Sequence, residues 1–384
     1  MTGFTKAEIS ERGHPVWAEI DLEAIRHNIR SLRAVARDAE VMGVVKGYAY
    51  GHGNPASARA MLQAGATRIG VARVAEAIHL RAAGIDAPIQ VFTEPPPQAI
   101  AVMLDLEVTP SVYTEAFARA LSLEAAARDL RIGVHVKIDT GMHRVGLGMD
   151  AVEDAFRVLA SLTGLEVEGV WSHLAVADQP EHPFTRRQLD LFAEAIARIE
   201  AAGVEPVTKH IANSAATLSL PESHFDMVRC GIASYGLSPG PAFDAEADLR
   251  PALALKARVG MVKHLRAGEA LSYGLRYELP ADSKVITVLA GYADGYDRRL
   301  SGRGDIIVGG VRRRVSGTVC MDQFMVDVGD ADVEAGDVVT LIGKEGEQQV
   351  RAEEVADLIG TINYEVTARV ASRVPRVYLN ELPE

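Results

Sequence analysis

Cysteine is nearly missing: a chain of 384 residues carries two, Cys230 and Cys320. No disulfide framework can be built from so few, and such sparing use of thiols fits a reducing cytoplasm. Positive charge is also short. Lys and Arg number 40 against 52 Asp and Glu, a formal net charge of −12, which argues against a nucleic-acid ligand or an anionic membrane surface. No apolar run reaches the length that spans a bilayer, and the opening MTGFTKAEISERGHP has no apolar stretch of the signal-peptide kind. Neither an HExxH pair nor a paired-cysteine spacing occurs, so no metal site is expected. What remains is an ordinary globular composition, 48% hydrophobic, long enough for about two domains.

Within that composition the pattern alternates. DLEAIRHNIRSLRAVARDA (21–39) puts Leu22, Ile25, Ile29, Leu32 and Val35 at helical spacing behind a candidate N-cap, Asp21. Short apolar strands are then expected at 41–46, 68–72, 89–93, 108–113, 132–138, 166–174, 207–212 and 225–230. Ala-, Leu- and Arg-rich helices separate them, among them 56–64, 73–83, 114–129, 150–161 and 185–202. Eight strands in alternation with helices predict a parallel (β/α)₈ barrel, a TIM-like α/β fold, with a doubly wound open sheet as the alternative. A proline- and acid-rich connector at 238–251 ends the pattern. Beyond it, glycine turns and alternating strands predict a mainly antiparallel β domain. One helix, RAEEVADLIG, is expected to interrupt it before a last strand, NYEVTARVASRVPRVYL. The expected division is a loose tail over 1–13, the barrel over 22–245, and the β domain over 246–384 joined by 14–21.

Active sites of such barrels collect at the carboxyl ends of the strands. Lys46, in VVKGYAYGHG, leaves the first strand there. Lys137, Asp139 and Arg144 follow the fifth, His173 the sixth, His210, Asn213 and Ser214 the seventh, and Arg229 the eighth. Any one of these is more often an ion pair, a cap or a core histidine than a catalyst. Their convergence on one rim favours function. Ser214 with the Gly231 and Ile232 amides forms a phosphate cradle on the loops after strands seven and eight. A phosphate there and a solitary amine at Lys46 suggest pyridoxal phosphate bound through that lysine. GLGMDA (146–151) and GKEG (343–346) are incomplete as nucleotide motifs.

VVKGYAYGHG, KIDTGMHRVG, HIANSAA, DMVRCGIASYG, LSYG, GYADGY, VCMDQFMVDV and GTINYEV, in this order from about residue 16 to 378, resemble the alanine racemase family. The resemblance implies a cytoplasmic, pyridoxal-phosphate-dependent homodimer that interconverts L- and D-alanine and supplies D-alanine for the bacterial cell wall. It implies Lys46 as cofactor lysine and one catalytic base, and Tyr273 as the opposite base, contributed by the partner subunit. Tyr50, Asn213, Ser214, Gly231, Ile232 and Tyr364 would then serve the cofactor and its phosphate. Arg229 would face the pyridine nitrogen, His173 would lie beside the ring, and Arg144 would contact the phenolic oxygen. Arg144 and Met321 would meet the substrate, Tyr292 and Asp322 would belong to the access region, and Lys137 would be a candidate for carbamylation. Two positions depart from the family pattern: His143, where glycine is usual, and Thr318, where arginine is common.

Two rival readings differ at defined residues. Barrel-type amino-acid decarboxylases share the two-domain plan but partner the pyridine nitrogen with a glutamate, where this chain has Arg229. Single-barrel pyridoxal-phosphate carriers lack a second domain altogether. Alanine and serine are not distinguished by the sequence.

Overall fold

The computed structural model describes residues 5–243 and 248–382. They fall into two compact units. One comprises Ile25–Ala49 and Asn54–Arg250, the other Met1–Ala24, Tyr50–Gly53 and Pro251–Glu384. The connector thus divides at 250/251 rather than 245/246, and a four-residue stretch after Lys46 belongs with the second unit.

The first unit is an eight-stranded parallel sheet: Glu40–Val44, Arg68–Val71, Ile89–Val91, Thr109–Val112, Ile132–Lys137, Leu165–Trp171, Thr208–His210 and Met227–Cys230. From the first to the seventh, each strand pairs with its sequence neighbour, and the eighth pairs with the first, Val41 lying opposite Val228. Strands seven and eight close the barrel through backbone bonds from Asp226 N to Lys209 O and from Arg229 N to Ala212 O, both 3.1 Å. All eight positions match the expected strands because a parallel strand is covered on both faces and therefore reads as an apolar run. Helices fill the connections. Thr114 caps the helix Glu115–Ala127 by accepting from Phe117 N. The helix Leu22–Ala36 starts on Asp21, whose Oδ1 accepts from Glu23 N at 2.9 Å, and it buries Ile25, Ile29 and Leu32 completely.

The second unit is a nine-stranded, mostly antiparallel sheet. Its spine is Leu253–Leu265, which pairs with Ser283–Val288 and with Val338–Glu345. The short strand Val16–Asp21, not needed by the barrel, lies antiparallel to this spine and parallel to Arg376–Leu379. Gly309 and Gly310, at φ +56° and +75°, turn the hairpin between Asp305–Val308 and Val311–Arg314, a two-residue connection that requires positive φ at both positions.

Two expectations are corrected. Residues 1–4 of the supposed loose tail lie outside the described residues, but Lys6–Glu11 form a helix. Ile9 of that helix is buried against Trp17 and Val377, so hydrophobic contact orders the segment. The supposed last strand is half helix: Asn363–Ala368 is helical and only Arg376–Leu379 is extended. Val366 and Val370, four apart and both buried, give that stretch the period of a helix, and Pro375 sits between it and the strand.

Candidate active site

Lys46 stands two residues beyond the first barrel strand and opens an unusual turn. Gly47, Tyr48, Ala49 and Tyr50 all have positive φ, from +52° to +63°. This is a left-handed turn, which costs roughly 1–2 kcal/mol for each residue with a Cβ. It is tied down at its start: Gly47 N donates to Glu76 Oε1 at 2.6 Å, while Glu76 Oε2 accepts from Ala72 N and Arg73 N. Such strain persists only where surrounding contacts enforce it, and it concentrates at functional positions. Burial, then the positive charges of Arg144 and Arg229, lower the Lys46 pKa and favour its neutral amine.

Arg229 is buried inside the eighth strand. Its Nη2 donates to Ser172 O at 2.8 Å, to Ile211 O at 3.0 Å and to His173 Nδ1 at 3.1 Å, and its Nη1 donates to His210 Nδ1 at 3.1 Å. Burial draws its pKa down to about 9, which leaves the guanidinium charged at neutral pH. His173 is pushed well below the ordinary imidazole range by burial and by the cations Arg229, Lys137, Arg144 and Lys46, so it is neutral. With Nδ1 accepting from Arg229, its proton sits on Nε2.

Lys137 shares this environment. Its ammonium lies 4.2 Å above the centre of the Trp171 ring, and burial with Arg229 and Arg144 lowers its pKa to about 7. Asp139 is not paired with it among the described residues. That carboxylate instead accepts from Gly141 N and His143 N and faces His143 Nδ1 at 3.1 Å. His143 has φ +56°, in the left-handed region that favours glycine, and its bonds to Asp139 hold it there just before Arg144.

Ser214 Oγ accepts from Gly231 N at 2.9 Å and from Ala233 N at 3.3 Å, and Ile232 opens a single 3₁₀ turn to Tyr235. Asn213 caps the short helix Ser214–Ser219 through Ala216 N.

Of the remaining expected residues, Tyr50, Tyr273, Tyr292, Met321, Asp322 and Tyr364 belong to the second unit. Tyr50 and Tyr364 approach with ring centroids 6.1 Å apart. Tyr273 is 75% exposed on the loop after Leu271. Thr318 holds that loop, since its Oγ1 donates to Tyr273 O at 2.8 Å and its carbonyl accepts from Ser272 Oγ at 2.7 Å. Tyr292 N donates to Cys320 O, and Ala293 N to Met321 O. Tyr292 also lines an open cleft of about 380 Å³ with Gly295, Asp297, Arg298 and Arg369. Arg373 bridges Asp294 and Asp322, each at 2.7 Å.

Glu76 was not foreseen from the sequence, because its task is to accept amides from two loops. Trp171 carried a weak signal: with Lys137 and Arg229 it forms a cation–aromatic stack, Arg229 Cζ lying 5.0 Å from the ring centre. Trp171 and Lys137 are the last residues of their barrel strands, where a large aromatic is worth noting. Among the described residues no cluster of His, Cys, Asp and Glu is arranged for a metal, and no helix is long and apolar enough to cross a membrane.

The four cations Lys46, Lys137, Arg144 and Arg229 act on one another electrostatically, and none is ion-paired with a carboxylate among the described residues. Such a ring fits an anionic, phosphate-bearing cofactor together with a substrate carboxylate. Fold and site therefore define a barrel protein with an amine of lowered pKa set among arginines. Comparison narrows the class. Residues 20–239 and 252–378 match the families described as the N-terminal and C-terminal domains of alanine racemase. A relative from Carboxydothermus hydrogenoformans, named alanine racemase, is 44% identical over 367 residues, 95% of this chain and 100% of its own. The alanine racemase structure from D-cycloserine-producing Streptomyces lavendulae superposes with a TM-score of 0.91 at 43% identity, covering 96% of this chain and 98% of that one. The Bacillus anthracis alanine racemase structure with bound L-Ala-P gives 0.90 at 38% identity, with 95% of each chain covered. The chain belongs to the alanine racemase family, isomerases that act on amino acids.

Proposed function

We propose that this enzyme interconverts L- and D-alanine with pyridoxal phosphate attached at Lys46, by a two-base mechanism in a homodimer, and that it supplies D-alanine for cell-wall synthesis. The observation that carries this reading is the ring of unpaired cations around an amine whose pKa is lowered. Ser214, the Gly231 and Ile232 amides, Tyr50 and Tyr364 would hold the phosphate, with Asn213 fixing the loop of Ser214. Arg144 would hold the phenolic oxygen, Arg229 the ring nitrogen and His173 the ring edge. Arg144 and Met321 would bind the substrate, with Tyr292 and Asp322 at its access route. When bound, the cofactor supplies an electron sink that acidifies the substrate's Cα proton. Lys46, favoured as a neutral amine, takes or returns that proton on one face, and the phenol of Tyr273 from the partner subunit serves the other. Arg229 keeps its own proton, so it leaves the ring nitrogen unprotonated and weakens the sink. That suits rapid return of the proton over transamination.

The test is incubation of the holoenzyme with L-alanine in D₂O, following chirality and Cα deuterium together. Deuterium should enter as optical activity is lost. Loss of the carboxyl group, or no reaction with alanine while serine racemises, would overturn the reading.

Lys137 is also proposed to carry a carbamate. Its amine attacks CO₂, a C–N bond forms, one proton is released, and the new anion sits within the cation ring. Because burial lowers the amine to about 7, its reactive neutral fraction rises as pH rises through that value and falls below it. Holoenzyme equilibrated with ¹³C-bicarbonate should show a carbamate carbon resonance that fades on acidification and is absent from Lys137→Ala. A signal that survives in the variant would place the carbamate elsewhere.

A further inference from the structure

Arg229 has a partner chain that leads away from the site. His210 Nδ1, which accepts from Arg229, belongs to a ring whose Nε2 lies 2.8 Å from His135 Nδ1. Both imidazoles are completely buried. His135 Nε2 makes no hydrogen bond; Glu168 Oε1 lies 3.7 Å from it. Glu168 is in turn held by Arg68 Nη2 at 2.6 Å, and Arg68 Nε lies 3.6 Å from Glu40. The backbone leaves room for this line at two glycines. A Cβ on Gly169 would fall 2.8 Å from the His135 ring, and one on Gly133 would collide with the Glu168 carboxylate.

The inventory of donors fixes the direction of the line. A guanidinium only donates, so His210 Nδ1 is a bare acceptor and its proton is on Nε2. That proton faces His135 Nδ1, which must likewise be bare, so His135 carries its proton on Nε2, toward Glu168. Burial pushes both imidazoles below their ordinary range, consistent with neutral rings. The charges balance along the same line. Arg229 is a buried cation whose four hydrogen-bond partners are two carbonyls and two imidazoles, with no carboxylate among them. At the far end Glu40, Arg68 and Glu168 sum to one negative charge. A buried charge is tolerated only when it is compensated.

We infer that Glu168 is the remote counter-ion of Arg229 and a positioning residue for it, acting through the neutral Nε2–H tautomers of His135 and His210. Glu168 sets a negative charge 3.7 Å from the terminal N–H, and its field polarises the hydrogen bonds that lead back to the guanidinium. The guanidinium is thereby kept charged and fixed in orientation. The part of this inference that concerns the ring nitrogen rests on the reading under Proposed function; the tautomer order does not.

Glu168→Gln tests it, because the amide keeps the shape and loses the charge. The holoenzyme would be labelled with ¹⁵N-histidine and compared with wild type and with Arg68→Gln. In Glu168→Gln the His135 and His210 resonances should move away from their wild-type positions, because the line of tautomers set by Arg229 loses its anionic end. kcat for alanine should fall roughly five- to ten-fold with KM nearly unchanged, the lower range for coupling through a network. The pH dependence of the cofactor absorbance should also change. Arg68→Gln keeps the carboxylate and should keep the wild-type histidine pattern. If Glu168→Gln does not fold, Glu168→Asp retains the charge and should preserve the wild-type histidine pattern. The inference is overturned if folded Glu168→Gln keeps the wild-type histidine resonances and kcat. It is equally overturned if Arg68→Gln reproduces the changes of Glu168→Gln, or if Glu168→Asp loses the wild-type histidine pattern. A wild-type enzyme that captures no cofactor at Lys46 would instead refute the proposed function, and the histidine spectra would still decide the tautomer order.

Discussion

Lys46→Ala should abolish covalent capture of pyridoxal phosphate and racemisation together. Removing a general base alone costs about 10²–10⁴-fold, and this lysine has two roles, so a loss beyond the upper part of that range is expected. The structure names one competitor. Lys137 is a second amine in the same ring of cations, lowered to about 7, and therefore nucleophilic near neutrality. It differs from Lys46 in its setting. Lys137 is buried within a strand and lies over Trp171, whereas Lys46 is half-buried at the mouth of a strained turn fixed by Glu76. Borohydride reduction followed by peptide mapping distinguishes them. Wild type should yield the reduced adduct at residue 46, and Lys46→Ala should yield none. An adduct at residue 137 in either protein would reassign the cofactor lysine, and a racemising Lys46→Ala would remove the lysine base from the mechanism.

The barrel was legible because its strands are short, apolar and covered on both faces, while its helices bury one stripe, as Ile25, Ile29 and Leu32 do. Boundaries drifted by one to three residues, and Val45 and Lys46 lie outside the strand expected to contain them. The stretch 363–379 was misjudged because β-branched residues suggest strand, whereas the spacing of Val366 and Val370 and the position of Pro375 divide it into helix and strand. The placement of Lys137, His210 and Arg229 at or near strand ends was readable from the barrel pattern alone. The left-handed turn after Lys46 was not, because nothing local marks Tyr48, Ala49 and Tyr50 as left-handed; the strain is imposed by contacts distant in sequence. Glu168 and Arg68 escaped for a similar reason. In the sequence each looks like a charged residue at the start of a strand, and only the barrel brings Glu168 opposite a buried imidazole. The glycines at 133 and 169 gain meaning only once the side chains they admit are known.

Mixed dimers should recover activity that neither parent has. Tyr273 is 75% exposed on a loop of the β unit, although a phenol acting as a base needs cationic or hydrogen-bond-donating neighbours that favour its phenolate. The proposed homodimer removes the conflict by seating this tyrosine in the partner's site, opposite Lys46. Lys46→Ala and Tyr273→Phe homodimers should then each lose nearly all activity. In a mixed dimer the two-fold axis joins both damaged residues in one site and both intact residues in the other. Random equimolar exchange makes half of the dimers mixed, so about a quarter of wild-type activity should return. Were both residues drawn from one chain, every site would carry a lesion and nothing would return. Exchange is verified first by mass or by affinity tag, because dimers that do not exchange give the same null result. With exchange proven, absence of recovery would refute the shared site, and recovery near a quarter would assign Lys46 and Tyr273 of each site to different chains.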